Sequence, residues 1–322
     1  MKKLILTLAI FVMSLATAQE AQEGFPVTIE DGLGRELTFD EPVERVVCFY
    51  NQCLGMMATL GVKPIAARYG DDVLNDPYYF DGDVEDIPVV PWTDSADAEA
   101  VAALEPDLII GFSSEEAETF KGIAAFYAEQ PFNDLEGLYA ELRALGKAMG
   151  LAERAEAAIQ SFEARLAAYV KLSPKDAGTV MKIGVADDKT FDISSTNDLT
   201  CQLLDLVATC EWSQEGDPTY WSYQTSIEGL LALNPDVLLP LNWSELSDAE
   251  LWSKLETSAL WNELTAVKNN RLLRVEDYSN PIASTIPGAA KFLDKFMPLL
   301  YPDTFPEPLT DEQVQETLAN EN

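Results

Sequence analysis

Any chemistry in this chain has to be done without imidazole, because the 322-residue sequence contains no His. That absence removes the zinc-protease helix motif, the Ser-His-Asp triad, the Cys-His dyad and imidazole ligation of haem or zinc. Neither a G-x-S-x-G elbow nor a G-x-x-x-x-G-K-[ST] phosphate loop is present. Two carboxylates can hydrolyse a glycoside, yet among 55 Asp and Glu no pair singles itself out. The remaining chemistry is that of gripping: aromatic faces, amides and a few Arg.

The four Cys are an even number, which favours two disulfides with three possible pairings. The local pairs Cys48 with Cys53 and Cys201 with Cys210 are favoured, each tying down a segment where a strand or loop gives way to a helix. A straight helix would hold Cys201 and Cys210 about 13 Å apart, beyond the roughly 4 to 7 Å that a disulfide allows. The helix through Leu203, Leu204 and Val207 must therefore end before Cys210. The alternative is four buried free thiols.

The elements that position these groups come in two related sets. Ala98 to Ile110 returns in altered form as Ile227 to Leu239, each copy carrying a short amphipathic helix, a Leu-x-Pro-Asp turn and an apolar run. Pro ends the helix, and the apolar run reads as a strand buried on both faces. The expected fold is α/β: two pseudo-symmetric lobes with parallel sheets and a ligand cleft between them. Residues 24–132 form the first lobe and 178–305 the second. Helical spacing from Leu135 to Tyr169 predicts one long rigid interdomain helix over 133–173, about 60 Å if unbroken, with Gly146 and Gly150 as points of bending. Residues 306–322 are an acidic tail in which Thr310 and Gln313 can cap one short helix.

Lys2 and Lys3, the apolar run Leu4 to Val12, and Ala16-Thr17-Ala18 read as a signal peptide over 1–18. The mature protein is then expected to be a soluble extracytoplasmic monomer. A formal charge of −34 excludes nucleic acid as a partner, because a polyanion needs clustered Lys and Arg. So acidic a surface suits a saline or alkaline habitat.

The order of several weak motifs resembles the extracytoplasmic substrate-binding proteins that serve ABC importers for ferric siderophores, haem and cobalamin. The motifs are Val27 to Leu37 (VTIEDGLGREL), Pro42 to Val47 (PVERVV), Leu60-Gly61-Val62, the two Leu-x-Pro-Asp turns with a long helical stretch between them, and Leu260 to Arg271 (LWNELTAVKNNR). The resemblance implies a binding module with no catalytic residues, no cofactor of its own and no directly bound metal. Its partners would be a small-molecule metal chelate and an importer permease dimer. It also implies one docking Glu per lobe, here Glu99 and Glu228, each eight residues before its turn Asp.

Open parallel sheets bind ligands at the carboxyl ends of their strands. That rule nominates Tyr50, Asn51, Gln52, Arg68, Tyr69, Trp92 and Phe112 in the first lobe. In the second it nominates Asp187, Asp188, Asn242, Trp243 and Tyr278, with Trp212, Trp221 and Tyr223 completing an aromatic wall from a loop. Arg68 is nearly alone as a cleft cation, and its competing role is a surface ion pair with Asp71 or Asp72. With so little positive charge, a less anionic, hydroxamate-like ferric siderophore is favoured over a triply anionic catecholate, with cobalamin next and haem after it. The readings from other classes are an exported carboxylate hydrolase and a non-transport sensor.

Overall fold

The computed structural model describes residues 24–68, 71–74, 76, 79–80, 84, 87–90, 98–129, 134–174, 177–194, 198–210, 222–274 and 285–319. The expected signal peptide lies outside these residues. The first lobe runs β1 (Val27–Glu30), β2 (Glu36–Phe39), β3 (Val46–Cys48), α1 (Asn51–Leu60), β4 (Ala66–Ala67), α2 (Asp71–Leu74), α3 (Ala98–Ala102), β5 (Leu108–Gly111), α4 (Ser114–Thr119) and β6 (Ala125–Ala128). Helices α5 (Leu135–Ala148) and α6 (Ala152–Leu172) follow. The second lobe runs β7 (Val180–Val185), β8 (Thr190–Ser194), α7 (Leu199–Asp205), β9 (Ser222–Ser226), α8 (Ile227–Leu233), β10 (Val237–Asn242), α9 (Asp248–Glu256) and α10 (Thr265–Lys268). Helices α11 (Ile286–Leu300) and α12 (Asp311–Ala319) end the chain, and no described helix is long and apolar enough to cross a membrane.

Strands β4-β3-β5-β6 form an all-parallel sheet, as expected for the first lobe. The second sheet departs from the expectation. Its order is β10-β7-β8-β9, and only β10 with β7 is parallel, because β8 and β9 add antiparallel to β7. Isolated parallel bridges at Thr179 with Thr209 and at Leu238 with Leu272 flank β7 and β10, so a parallel arrangement like that of the first lobe survives. The expected last strand at Leu272 to Val275 is therefore a single bridge where it is described.

Both repeat copies solve the same problem in the same way. Glu105 and Asn234 take positive φ (49° and 45°) to end their helices before Pro106 and Pro235. Asp107 then accepts the backbone N–H groups of Glu44 and Arg45, and Asp236 accepts the N–H and hydroxyl of Thr179. Each Asp thus fastens the start of the neighbouring strand, β3 in one lobe and β7 in the other.

The predicted single helix over 133–173 is two helices. Gly150 adopts φ 68°, its N–H reaches Lys147 O, and Leu151 N–H reaches Gly146 O at 2.6 Å. This pair of bonds is a Schellman motif, which satisfies the last carbonyls of α5 and turns the chain. Gly146 permits close packing of the two helices, since a Cβ there would fall 2.8 Å from Ala155 Cβ. Helix α6 alone carries the chain between lobes, at about 30 Å instead of 60 Å.

Rigidity comes from elsewhere. Alternate residues of β3 and β5 (Val46, Cys48, Leu108 and Ile110) and of β7 and β10 (Val180, Val237 and Leu239) enter one continuous apolar core, together with α1, α6 and α11. The opposite faces of the two sheets enter separate cores, one per lobe. Helix α11 returns to pack on α1 and α6, and Lys291 pairs with Asp76 of the first lobe. Tyr169 donates to Asp294 and accepts from Leu309 N–H, while Arg165 bonds Asp294, Asp311 and the Leu309 carbonyl. The acidic tail is held the same way: Thr310 and Gln313 cap α12, and Val314 is buried with α6 and α11.

A core common to both lobes should melt as one unit. Calorimetric and van't Hoff enthalpies are expected to agree for a single transition, and Phe292→Ala should cost about 3–5 kcal/mol by urea titration. Two resolved transitions would show that the lobes fold separately.

Candidate functional site

The disulfide Cys48–Cys53, with Cα atoms 5.5 Å apart, ties the end of β3 to the first turn of α1. It encloses Phe49, Tyr50, Asn51 and Gln52 at the carboxyl edge of the sheet, and so fixes three of the nominated residues. The second expected bridge, Cys201–Cys210, also forms, because α7 ends at Asp205 as the pairing requires.

Three strand ends then converge on one carboxylate. Glu116 Oε1 accepts the Tyr50 hydroxyl at 2.8 Å and Arg68 Nη1 at 3.0 Å. Its Oε2 accepts the N–H groups of Phe112 and Ser113, and Ser113 returns a bond to Glu116 N–H as a capping box. Burial works against this charge, but the Phe112, Ser113 and Tyr50 donors outweigh it and hold Glu116 below the ordinary carboxylate value of 4.5. Tyr50 is pushed up to about 12, first by burial and then by Glu116. The Tyr50 and Phe112 rings meet at 4.7 Å, and the Arg68 guanidinium lies 5.7 Å from the Phe49 ring and 5.6 Å from the Tyr50 ring. Arg68 is only 8% exposed. Its described ionic partner is Glu116, while the side chains of Asp71 and Asp72, the competing partners expected from the sequence, lie outside what the structure describes.

Beside this aromatic wall the edge turns acidic. Gln52 Nε2 donates to Glu141 Oε2 at 3.1 Å, burial and the nearby Glu141 charge push the Tyr127 hydroxyl up, and Glu129 follows directly on β6. Sequence reasoning missed Glu116, Glu129 and Glu141. Glu116 had a signal, since Ser113-x-x-Glu116 after an apolar strand is a capping-box pattern. The other two had none among 55 acids.

In the second lobe Trp243 lies at the end of β10, its ring against the backbone of Gly184, where any Cβ would strike the indole. Its Nε1 is shielded and has no hydrogen-bond partner among the described residues. Asn242 organises its own loop through Ser244, Leu246 and Asp248, and Asp187 closes the β7–β8 turn through Lys189 and Thr190 N–H, with Asp188 in the same turn. Tyr223 belongs to β9 and not to a loop, half-buried against the apolar cluster of Phe191 and Trp261. Glu99 and Glu228 occupy the first turns of α3 and α8, both exposed. The nominated Tyr69, Trp92, Trp212, Trp221 and Tyr278 lie outside the described residues.

Removing Glu116 breaks a buried ion pair with Arg68 and takes the acceptor from Tyr50 and two backbone N–H groups, so Glu116→Ala should destabilise the protein by about 3–5 kcal/mol near pH 7. Because the folded carboxyl is the stronger acid, this contribution is present above pH 4.5 and is lost as pH falls through the lowered folded value. Urea titrations of wild type and variant at pH 7 and below pH 4 should show the gap narrowing. A gap independent of pH would contradict the charged pairing.

Residues 46–278 match the sequence profile of the family described as periplasmic binding protein. Over 304 residues the chain is 23% identical to the uncharacterized ABC transporter substrate-binding lipoprotein YvrC of Bacillus subtilis, with 90% of each covered. Among solved structures, the petrobactin-binding protein YclQ of Bacillus subtilis aligns with a TM-score of 0.71 at 17% identity, covering 86% of this chain and 99% of that one. The periplasmic catecholate-siderophore binding protein VctP of Vibrio cholerae gives 0.68 at 18% identity, over 86% and 100%. At these identities the structural likenesses show the two-lobed fold. The profile, spanning well over half the chain, shows the kinship: the chain belongs to the periplasmic binding protein family, extracytoplasmic binding components of ABC importers.

Proposed function

We propose that this protein captures a ferric siderophore of low negative charge, hydroxamate-like, and delivers it to a membrane permease without transforming it. The class of cargo is suggested by YclQ and VctP, which are described as binding petrobactin and catecholate siderophores. The observation that carries the charge argument is the pairing of Arg68 with Glu116. The cation expected to meet an anionic chelate is already neutralised, and its neighbours Glu129 and Glu141 are acids. A tri-catecholate complex would bring three negative charges to this edge, and desolvating them there would go uncompensated. The Tyr50 and Phe112 rings instead offer an apolar face of the kind that grips a bulky, weakly charged chelate.

Delivery is assigned to Glu99 and Glu228, one from each repeat copy, exposed at matching helix starts. Two carboxylates at symmetry-related places can set register on two related cationic pockets of a permease dimer. Glu228 is held below the ordinary carboxylate range by its bond with Ser226, so it is charged at neutral pH.

Two measurements test the reading. Trp fluorescence titration with a panel of ferric siderophores and cobalamin should give tightest binding to a trihydroxamate, whereas preference for a tri-catecholate would overturn the charge argument. Replacing both Glu99 and Glu228 with Ala should abolish uptake by cells while leaving affinity in solution unchanged. A fall in affinity would place those carboxylates in the binding site instead.

A further inference from the structure

Glu129 is the least explained group in the molecule. It is 2% exposed, and neither carboxyl oxygen has a hydrogen-bond partner among the described residues. A dry, unpaired carboxyl group in a native interior costs free energy that no internal contact repays. It is not set in the middle of a strand for packing: it is the first residue after β6, at the edge where Tyr50, Arg68 and Phe112 also emerge, and its N–H is fixed to Gly111 O at 2.7 Å. A second orphan lies on the same edge, since Asn51 Oδ1 is also buried without a partner. Asn51 adjoins Gln52, which is bonded to Glu141.

The groups that act on Glu129 come from several elements. Glu141 of α5 and Glu116 of α4 both raise it, and burial raises it more than either. Tyr127 of β6 lies near Glu141, and Arg68, the cation of the cluster among the described residues, is engaged by Glu116. Burial and these two acids, Glu141 and Glu116, hold the Glu129 carboxyl well above its ordinary value. Among the described residues no group of three or more His, Cys, Asp or Glu side chains is arranged to hold a metal ion, which argues against a cation centre of that kind.

We propose that Glu129, with Glu141 beside it, forms a subsite for a protonated primary amine carried by the cargo. The two unpartnered Glu129 oxygens are acceptors, and an ammonium supplies the donors and the positive charge that the acids lack. An ammonium favours the ionised Glu129 carboxylate, so a proton held there leaves to solvent on binding and no covalent bond changes. This inference rests on the ferric-siderophore reading and adds to it the chemical feature by which one chelate is told from another.

The test uses two ferric trihydroxamates with the same iron-binding core, one ending in a free primary amine and the other in its N-acetyl derivative. Wild-type protein at pH 7 should bind the amine complex about tenfold or more tightly, as expected for a charge-assisted buried contact. Because ionised Glu129 is the form that takes up the ammonium, affinity for the amine complex should climb as pH rises from 6 to 9, with proton release on binding seen as a buffer-dependent heat. The acetyl complex should show neither effect. Glu129→Gln should bring the ratio of the two affinities close to one. Equal affinities at every pH in the wild type would overturn the inference, and that comparison needs no variant to fold. Failure of both complexes to bind would overturn the ferric-siderophore reading and this inference with it.

Discussion

Both sheets of this protein lean on a single apolar layer, and the site depends on that. Strand residues alternate, so Val46 and Cys48 of β3 face the shared core while Val47 and Phe49 face the first lobe's own. Once that register is fixed, a one-residue slip would turn Phe49 from its own core to the shared one and displace Tyr50 with it. The carboxyl edges of four parallel strands are thereby held in one place, with Tyr50, Arg68, Phe112 and Glu129 emerging one or two residues beyond β3, β4, β5 and β6. A large hinge motion would have to part α11 from α1 and expose Phe292, Phe296 and their neighbours, which closely packed interiors resist.

Within that frame Glu116 is the electrostatic pivot. Its two oxygens take four of the described donors from three different chain segments, which converts a short six-residue helix into a rivet for the strand ends. The pairing also decides what the site can recognise. A guanidinium within 6 Å of two ring centroids and paired with a carboxylate has its charge met inside the protein. The same Arg unpaired would have selected for an anion.

The duplication was readable because it is built from residues with strong local rules: Pro stops a helix, and Asp after Pro caps a strand start. Both disulfides were readable because each joins Cys residues close in sequence at a point where a strand or loop gives way to a helix. The split of the central helix at Gly150 was partly visible as a glycine, but period alone runs through it, since Leu145 and Ile159 both fit one helical face. The antiparallel β8–β9 addition left only the weak alternation of Thr190 to Ser194. Arg68 lies one residue beyond β4 as its place in the sequence suggests, while Glu116, 48 positions away, was not legible as a partner, because only parallel pairing of β4, β3 and β5 brings α4 to Arg68.

A chain with formal charge −34 acts on its cargo before contact. Screening confines that field to roughly 8 Å at physiological salt, so it governs the last steps of approach and not long-range encounter. Over that distance a triply anionic complex is repelled by the surface and then meets a neutralised Arg68 and two buried acids. A neutral or cationic chelate meets no such barrier, and an amine on its rim is drawn toward Glu129. Under the proposed function, the same surface charge that disfavours anionic cargo would favour docking on cationic permease pockets through Glu99 and Glu228. One charge sign thus serves both ends of delivery, provided the cargo itself is not an anion.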